Sequence, residues 1–148
     1  MKDFNMAQED LLSRGHACIV TDNIDRLREN WRKYLGIELT PNFTMTGPAV
    51  VRGEDRGECK VLIAFGDIGD LRVEFLQPVE GETQEWEFIK KHNNGLHHID
   101  PILPRLKTLD DRVKEFESRG VKVLQIDKKN RWAYMDTEEL LGTIIELH

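Results

Sequence analysis

Apolar residues recur along the first part of the chain at two different spacings. Residues 16–20 ("HACIV") suit the start of a strand, and from Ile24 onward apolar side chains return every three or four positions, as on one face of a helix. The predicted buried stripe of this helix is Ile24, Leu27, Trp31, Tyr34 and Leu35. Asp22 or Asn23 can cap its start, and Gly36 suits its end. The pattern therefore predicts a strand followed by an amphipathic helix.

The second half of the chain repeats this opening. His98 begins a segment in which Thr108 and Asp111 have the spacing of a capping box, with aspartate in place of the usual glutamate. Leu109, Val113 and Phe116 form the apolar stripe, and "VKVL" follows as a strand. The glycines that end the two helices lie 20 residues after His16 and 22 residues after His98. The spacing indicates two modules with the same plan.

The two modules also end alike. "CKVLIAFGDIGDLRVEFLQP" and "RWAYMDTEELLGTIIELH" each predict two strands joined by a turn, and each final strand carries one glutamate among apolar neighbours, Glu74 or Glu146. Each module is then a strand, a helix and three strands, about residues 14–79 and 95–148, with a connecting helix over about 80–93. We predict one α+β domain over residues 1–148, built from tandem βαβββ modules.

Composition and charge restrict the possible partners. The chain has 148 residues, 39% hydrophobic and 32% charged, with a net charge of −6. This charge and the lack of basic clusters argue against binding to nucleic acid or an anionic membrane. No apolar stretch is long enough to cross a membrane, and the acidic first residues predict no secretory signal. Cys18 and Cys59 form neither a CxxC motif nor a disulfide framework, so we expect a cytoplasmic protein.

Aligning the modules pairs His16 with His98 and Glu74 with Glu146. A carboxylate in the middle of an apolar strand is costly if it faces a dry core, but a cation offsets that cost. Two imidazoles and two carboxylates suit a divalent first-row metal. The residues alone leave an alternative open, in which the glutamates face solvent and the histidines are ordinary structural residues.

Four segments in order resemble the vicinal oxygen chelate superfamily of glyoxalases, bleomycin-resistance proteins and dioxygenases. They are "HACIVTDNIDRLRENWRKYLGIEL", "RVEFLQP", "GLHHI" and "GTIIEL", and the resemblance runs from about residue 14 to the end of the chain. It implies a pair of βαβββ modules that form a cupped, partly open mixed β-barrel around a divalent metal. A homodimer is also implied by this resemblance.

The resemblance implies a ligand set. The ligand histidine of this family begins the first strand of each module, so the metal ligands are expected to be His16, Glu74, His98 and Glu146. Neighbouring side chains on a strand point to opposite faces, which leaves His97 packed or hydrogen-bonded behind the sheet. The metal itself, one of Co, Mn, Ni, Zn or Mg, is not specified.

Within the superfamily, "VEFLQP", "FIKKHNNGLHHI" and "WAYMDTEELLGTIIELH" are most similar to methylmalonyl-CoA epimerases. This implies a metal-dependent isomerase that removes a proton next to the thioester carbonyl of an acyl-CoA. Inversion needs an acid/base group on each face of the carbon. By resemblance Glu146 is expected to double as one of them, and Glu58 is the candidate for the other. His148 shares the face of Glu146 and is placed to orient it.

Two other functions remain open. A glyoxalase I-type lactoylglutathione lyase uses the same four ligands on a thiol–aldehyde adduct, and other superfamily members bind small molecules without catalysis. The chain also departs from the epimerases after His98, where "HHIDPILPRL" places Asp100, Pro101 and Pro104. Asp100 puts a carboxylate close to the expected metal, and the prolines require a short, bulged or edge strand.

Overall fold

The structure is a computed structural model that describes residues 15–101 and 108–148. Its strands are β1 (His16–Val20), β2 (Phe43–Val51), β3 (Glu54–Ile68), β4 (Leu71–Glu80), β5 (Gly95–Asp100), β6 (Val123–Asp127), β7 (Trp132–Met135) and β8 (Ile144–Leu147). Its helices are α1 (Ile24–Leu35), α2 (Gln84–His92), α3 (Leu109–Ser118) and α4 (Glu138–Leu141). The predicted order of strand, helix and three strands is present in both halves. The last two strands of the second half are joined by α4 rather than by a simple turn.

The strands form one closed mixed barrel in the order β1-β4-β3-β2-β6-β7-β8-β5, which confirms the predicted fold class. The barrel is closed rather than partly open, because the second strands of the two modules pair: Val50 and Val51 of β2 lie opposite Ile126 and Gln125 of β6. On the other side, β5 pairs with β1. Four strands from each module therefore surround one interior.

Parallel pairing places the first strand of each module beside its last. Cys18 of β1 lies opposite Glu74 of β4. On β5 and β8, Ile99 lies opposite Ile145, so the next position along each strand places Asp100 opposite Glu146. In both modules the glutamate thus lies opposite the residue two positions after the histidine. This shared register is what brings the equivalent side chains together.

The helix boundaries follow the predicted capping residues. The side chain of Asn23 accepts from the Arg26 amide at 3.0 Å, and Gly36 ends α1 with a φ of 67°. The capping box of Thr108 and Asp111 is present at the start of α3. Within the described ranges, no helix has both the length and the apolar character that crossing a membrane requires.

The predicted stripe of α1 is correct for its first turns and wrong for its last. Ile24 is buried and Trp31 packs edge-on against Phe75, but Tyr34 and Leu35 are 71% and 56% exposed. After Gly36 the chain folds back, and the side chain of Ile37 joins the apolar cluster beneath α1. Ile37 thus fills the space expected for the last turn of the helix.

The barrel interior is apolar on the side of the first module. Its cluster consists of Cys18, Val20, Val61, Ile63, Phe65, Leu76 and Phe88. Phe88 comes from α2, the predicted connecting helix, and Ile89 packs against the same cluster as expected.

Candidate metal centre

The four side chains expected to bind metal meet in the barrel interior. His16 Nε2 lies 3.4 Å from Glu74 Oε2, and His98 Nε2 lies 3.9 Å from Glu74 Oε1. His98 Nε2 is also 2.8 Å from Glu146 Oε2. All four side chains are buried. The structure therefore brings together residues that are up to 130 positions apart in the sequence, from His16 to Glu146.

The chemistry of this cluster fits a divalent cation. Both ring nitrogens of His16 are buried without a hydrogen-bond partner among the described residues. Ligand atoms of His16, Glu74 and His98 lie within 4.8 Å of one another. Unsatisfied buried polar atoms are costly, and imidazole nitrogens with carboxylate oxygens are common ligands of divalent metals. These residues are thus suited to hold such a cation, of unspecified identity.

Asp100 and His148 extend the cluster. His148 Nε2 lies 2.7 Å from Asp100 Oδ2, and His148 Nδ1 lies 3.2 Å from Glu146 Oε1. Asp100 Oδ2 is also 3.4 Å from His16 Nδ1. The backbone oxygen of His148 accepts from Arg112 Nη1, which holds this residue in place. Asp100 therefore lies directly beside the cluster, and His148 contacts both Asp100 and Glu146.

Opposite charges control the ionisation of these groups. Burial alone would raise the pKa of Glu146, but the His98 and His148 rings hold it below its usual range. Hydrogen bonds to Asp100 and Glu146 raise the pKa of His148 to about 10, against the effect of burial. The pKa of His98 is also raised, because Glu146 and Glu74 outweigh the desolvation of its ring. Glu146 is therefore a carboxylate at neutral pH.

A β-bulge changes the expected direction of His97. Cys18 and Ile19 are consecutive on β1, yet they face His98 and Leu96 on β5, so His97 is the extra residue of the bulge. His97 and His98 are each 1% exposed, whereas Leu96 is 68% exposed. His97 is packed and hydrogen-bonded as expected, but the expected position behind the sheet is wrong, because its ring contacts the interior residue Phe88 and its Nδ1 lies 2.8 Å from His98 Nδ1. Strict alternation fails where one strand carries an additional residue.

Glu58 lies apart from this cluster. It is an exposed residue of β3, opposite Pro48 on β2. It does not belong to the residues that line the cavity beside Glu74 and Glu146. The structure thus does not bring the second predicted acid/base residue to the other candidate residues.

A cavity of about 620 Å³ leads from the surface to the cluster. Glu74, Glu146 and His148 belong to its lining. Its apolar wall includes Phe43, Met45, Ile63, Leu76, Trp132 and Tyr134. Lys129 and Arg131 also line it. A ligand in this cavity would contact an apolar wall, two basic side chains and the candidate metal centre together.

The structure also shows a buried carboxyl group that the sequence pattern did not reveal. Glu85 near the start of α2 is 1% exposed, and its Oε1 accepts from the Tyr134 hydroxyl at 2.9 Å. The ring of Tyr134 in turn packs on His98, with centroids 4.9 Å apart. Burial raises the pKa of Glu85. No sequence signal identifies it, because it stands among several acidic residues in "EGETQEWEF".

We expect the Glu85→Gln variant to be more stable than the wild type at neutral pH. A carboxyl group whose pKa is raised in the folded state contributes fully to stability below its ordinary pKa of 4.5, and this contribution is lost as the pH rises through the folded-state value. Each tenfold difference in the acid dissociation constant between the folded and unfolded states corresponds to about 1.4 kcal/mol in the free energy of unfolding. Glutamine keeps an acceptor for Tyr134 without this dependence. Thermal unfolding from pH 4 to pH 8 should show a difference in Tm that grows with pH.

Glu87 on the same helix provides a control with the opposite sign. Burial raises its pKa, but Arg56 and Arg52 outweigh this and lower it. The stabilisation by this carboxylate is present above its ordinary pKa and is lost as the pH falls through the lowered value. Glu87→Gln should therefore lower Tm at pH 7. An equal effect of pH on both variants would contradict the assignment for Glu85.

A closed barrel of two βαβββ modules, with two histidines and two glutamates that meet in its interior, defines a protein of the vicinal oxygen chelate type. Residues 15–134 match the family model of the Glyoxalase/Bleomycin resistance protein/Dioxygenase superfamily. The chain belongs to this superfamily.

Individual relatives are more distant. The protein YqjC of Bacillus subtilis is 27% identical over 109 residues, which cover 68% of this chain and 74% of YqjC. The structure is similar to methylmalonyl-CoA epimerase from Mycobacterium tuberculosis, with a TM-score of 0.61, 17% identity and coverage of 89% and 83% of the two chains. It is also similar to a Streptomyces coelicolor methylmalonyl-CoA epimerase variant in complex with 2-nitronate-propionyl-CoA, with a TM-score of 0.62, 19% identity and coverage of 89% and 90%. At these identities the structural likeness shows the fold.

Proposed function

We propose that the protein is a divalent-metal-dependent isomerase that removes a proton next to a thioester carbonyl, as in methylmalonyl-CoA epimerisation. The observation that carries this proposal is the convergence of His16, Glu74, His98 and Glu146 in the barrel interior, where the two glutamates line one cavity. The likeness to epimerases whose structures hold an acyl-CoA analogue supports the substrate class.

In this proposal the four side chains hold the cation. A bound divalent cation stabilises the negative charge that develops on a carbonyl oxygen when the α-proton leaves. Glu146 is the proposed base, because its side chain is a carboxylate at neutral pH and lines the cavity. Oε2 faces His98, and Oε1 is held by His148. Glu58 has no part in this proposal, because its side chain does not line the cavity.

The cavity provides the remaining requirements. Its apolar wall, with Ile63, Leu76 and Trp132, excludes water and restricts the orientation of an acyl group. Lys129 and Arg131 provide positive charge for the phosphate or carboxylate groups of an acyl-CoA, while Glu74 and Glu146 are acidic. This lining favours a substrate that carries both an anionic group for the basic side chains and an oxygen that can bind a metal.

The direct test is deuterium incorporation from solvent at C2 of methylmalonyl-CoA, with protein reconstituted with Co²⁺ or Mn²⁺. We expect exchange that depends on the added metal. A protein that holds metal but shows no exchange would exclude this substrate. The hemithioacetal of methylglyoxal and glutathione then tests the glyoxalase I-type alternative, which would use the same four side chains. Tight binding of either compound without turnover would favour a non-catalytic binding protein.

Three further expectations stay predictions: the homodimer, the cytoplasmic location and the acyl-CoA as the physiological ligand. The first is tested by the mass in solution, measured by light scattering, which should be twice that of one chain.

A further inference from the structure

His97 lies between a helix and a candidate metal ligand. Its Nε2 is hydrogen-bonded to Gln84 Oε1, and its Nδ1 lies 2.8 Å from His98 Nδ1. Gln84 is the first residue of α2, and its own backbone amide donates to Gln125 Oε1 at 2.8 Å. Gln84, His97, His98 and Gln125 are all buried. We call the first three residues the Gln84–His97–His98 chain.

The direction of the hydrogen bonds in this chain follows from the donors and acceptors available. An amide oxygen only accepts, so His97 donates its Nε2–H to Gln84. A neutral imidazole that donates from Nε2 must accept at Nδ1, and therefore His98 donates its Nδ1–H to His97. The proton of His98 is then on the edge of the ring that faces away from the carboxylates. Its Nε2, which lies within 4 Å of both Glu74 and Glu146, is then the ring nitrogen that a cation in this cluster would contact.

We propose that His97 is a positioning residue, which fixes the tautomer and orientation of His98 so that Nε2 is presented to the metal. This inference rests on the metal centre of the proposed function. The bulge makes the arrangement possible, because it turns His97 to the interior while Leu96 and Ile99 on either side of the pair remain exposed. The Nδ1 of His16 lies 3.4 Å from Asp100 Oδ2 without a hydrogen bond, and its Nε2 faces Glu74, so the Gln84–His97–His98 arrangement is specific to the second histidine. A hydrogen-bond acceptor behind a metal-binding imidazole is a common way to hold the ring.

The test compares Co²⁺ binding in matched variants, with the absorption of bound Co²⁺ as the spectroscopic signature. His97→Leu removes the acceptor, and we expect the affinity to fall about 10- to 100-fold with a changed spectrum. His97→Asn places Oδ1 close to the former position of Nδ1, so it should recover most of the affinity and the wild-type spectrum. Gln84→Met removes the hydrogen-bond acceptor of His97 Nε2 and leaves the contact between His97 and His98, so we expect a smaller loss of Co²⁺ affinity. His92→Leu, on the exposed side of α2, is the control and should bind as the wild type does.

A second measurement needs no metal and separates this inference from the proposed function. Nitrogen-15 NMR of the metal-free protein should show a scalar coupling between His97 Nδ1 and His98 Nδ1 across their hydrogen bond. Absence of this coupling overturns the proposed chain, even if the protein binds Co²⁺. Equal affinity and spectra for wild type and His97→Leu also overturn it. If the coupling is present but His16→Ala and His98→Ala bind Co²⁺ as the wild type does, the metal centre is wrong, and the positioning role fails with it.

Discussion

The His98→Ala variant should lose most of its affinity for Co²⁺, by roughly 100- to 1000-fold. Structural zinc sites with four protein ligands bind their metal with about 10–16 kcal/mol, and if the ligands contribute equally, the loss of one removes about a quarter of that free energy. His98 also contacts both Glu74 and Glu146, so its removal leaves these two buried carboxylates without their shared imidazole partner. Competition titration with a chelator of known affinity measures the effect.

His92→Ala is the matched control, because His92 is a partly exposed histidine whose partner is Glu138 on the surface. It should retain the affinity of the wild type. Retention of Co²⁺ by both variants would refute the metal centre at this end of the barrel. A loss confined to His98→Ala would support the choice of His98 as the ligand of the second module.

Much of the candidate centre could be predicted from the sequence, because the repeat carries geometric information. The helix-ending glycines and the strand-ending glutamates put His16 in register with His98 and Glu74 in register with Glu146. The parallel pairs β1–β4 and β5–β8 then bring each histidine near its glutamate by the same offset. The sequence of one module was enough to predict this proximity, because both strands of each parallel pair belong to the same module.

Other features depend on contacts between the modules, and no local pattern contains them. The bulge at His97 exists only because β5 pairs with β1 of the other module, and one additional residue reverses the face expected from alternation. The closure of the barrel depends on two residue pairs between β2 and β6. Glu85 is buried because Tyr134, 49 residues away, covers it and donates to its carboxylate. The predicted role of Glu58 relied on resemblance alone, and the structure places that side chain in solvent.

The Glu146→Gln variant should show the largest effect on the proposed reaction. Removal of a general base typically lowers the rate by about 100- to 10,000-fold. Glutamine keeps the shape of the side chain and an oxygen that can accept from His148, but it cannot take up a proton. We expect the rate of deuterium exchange at C2 of methylmalonyl-CoA to fall to the rate measured without protein. Metal content is measured in the same sample, since Glu146 is also a proposed ligand.

Glu58→Gln is the control for this comparison, because it makes the same chemical change on an exposed residue outside the cavity. Its exchange rate should equal that of the wild type. If instead Glu58→Gln abolishes exchange and Glu146→Gln retains it, the base has been assigned to the wrong strand, and β3 must approach the substrate in a way that this structure does not show. If Glu146→Gln holds metal at saturation and still exchanges at the wild-type rate, proton removal belongs to another group. His148 would then be examined first, because it lines the same cavity and is held by Asp100 at 2.7 Å.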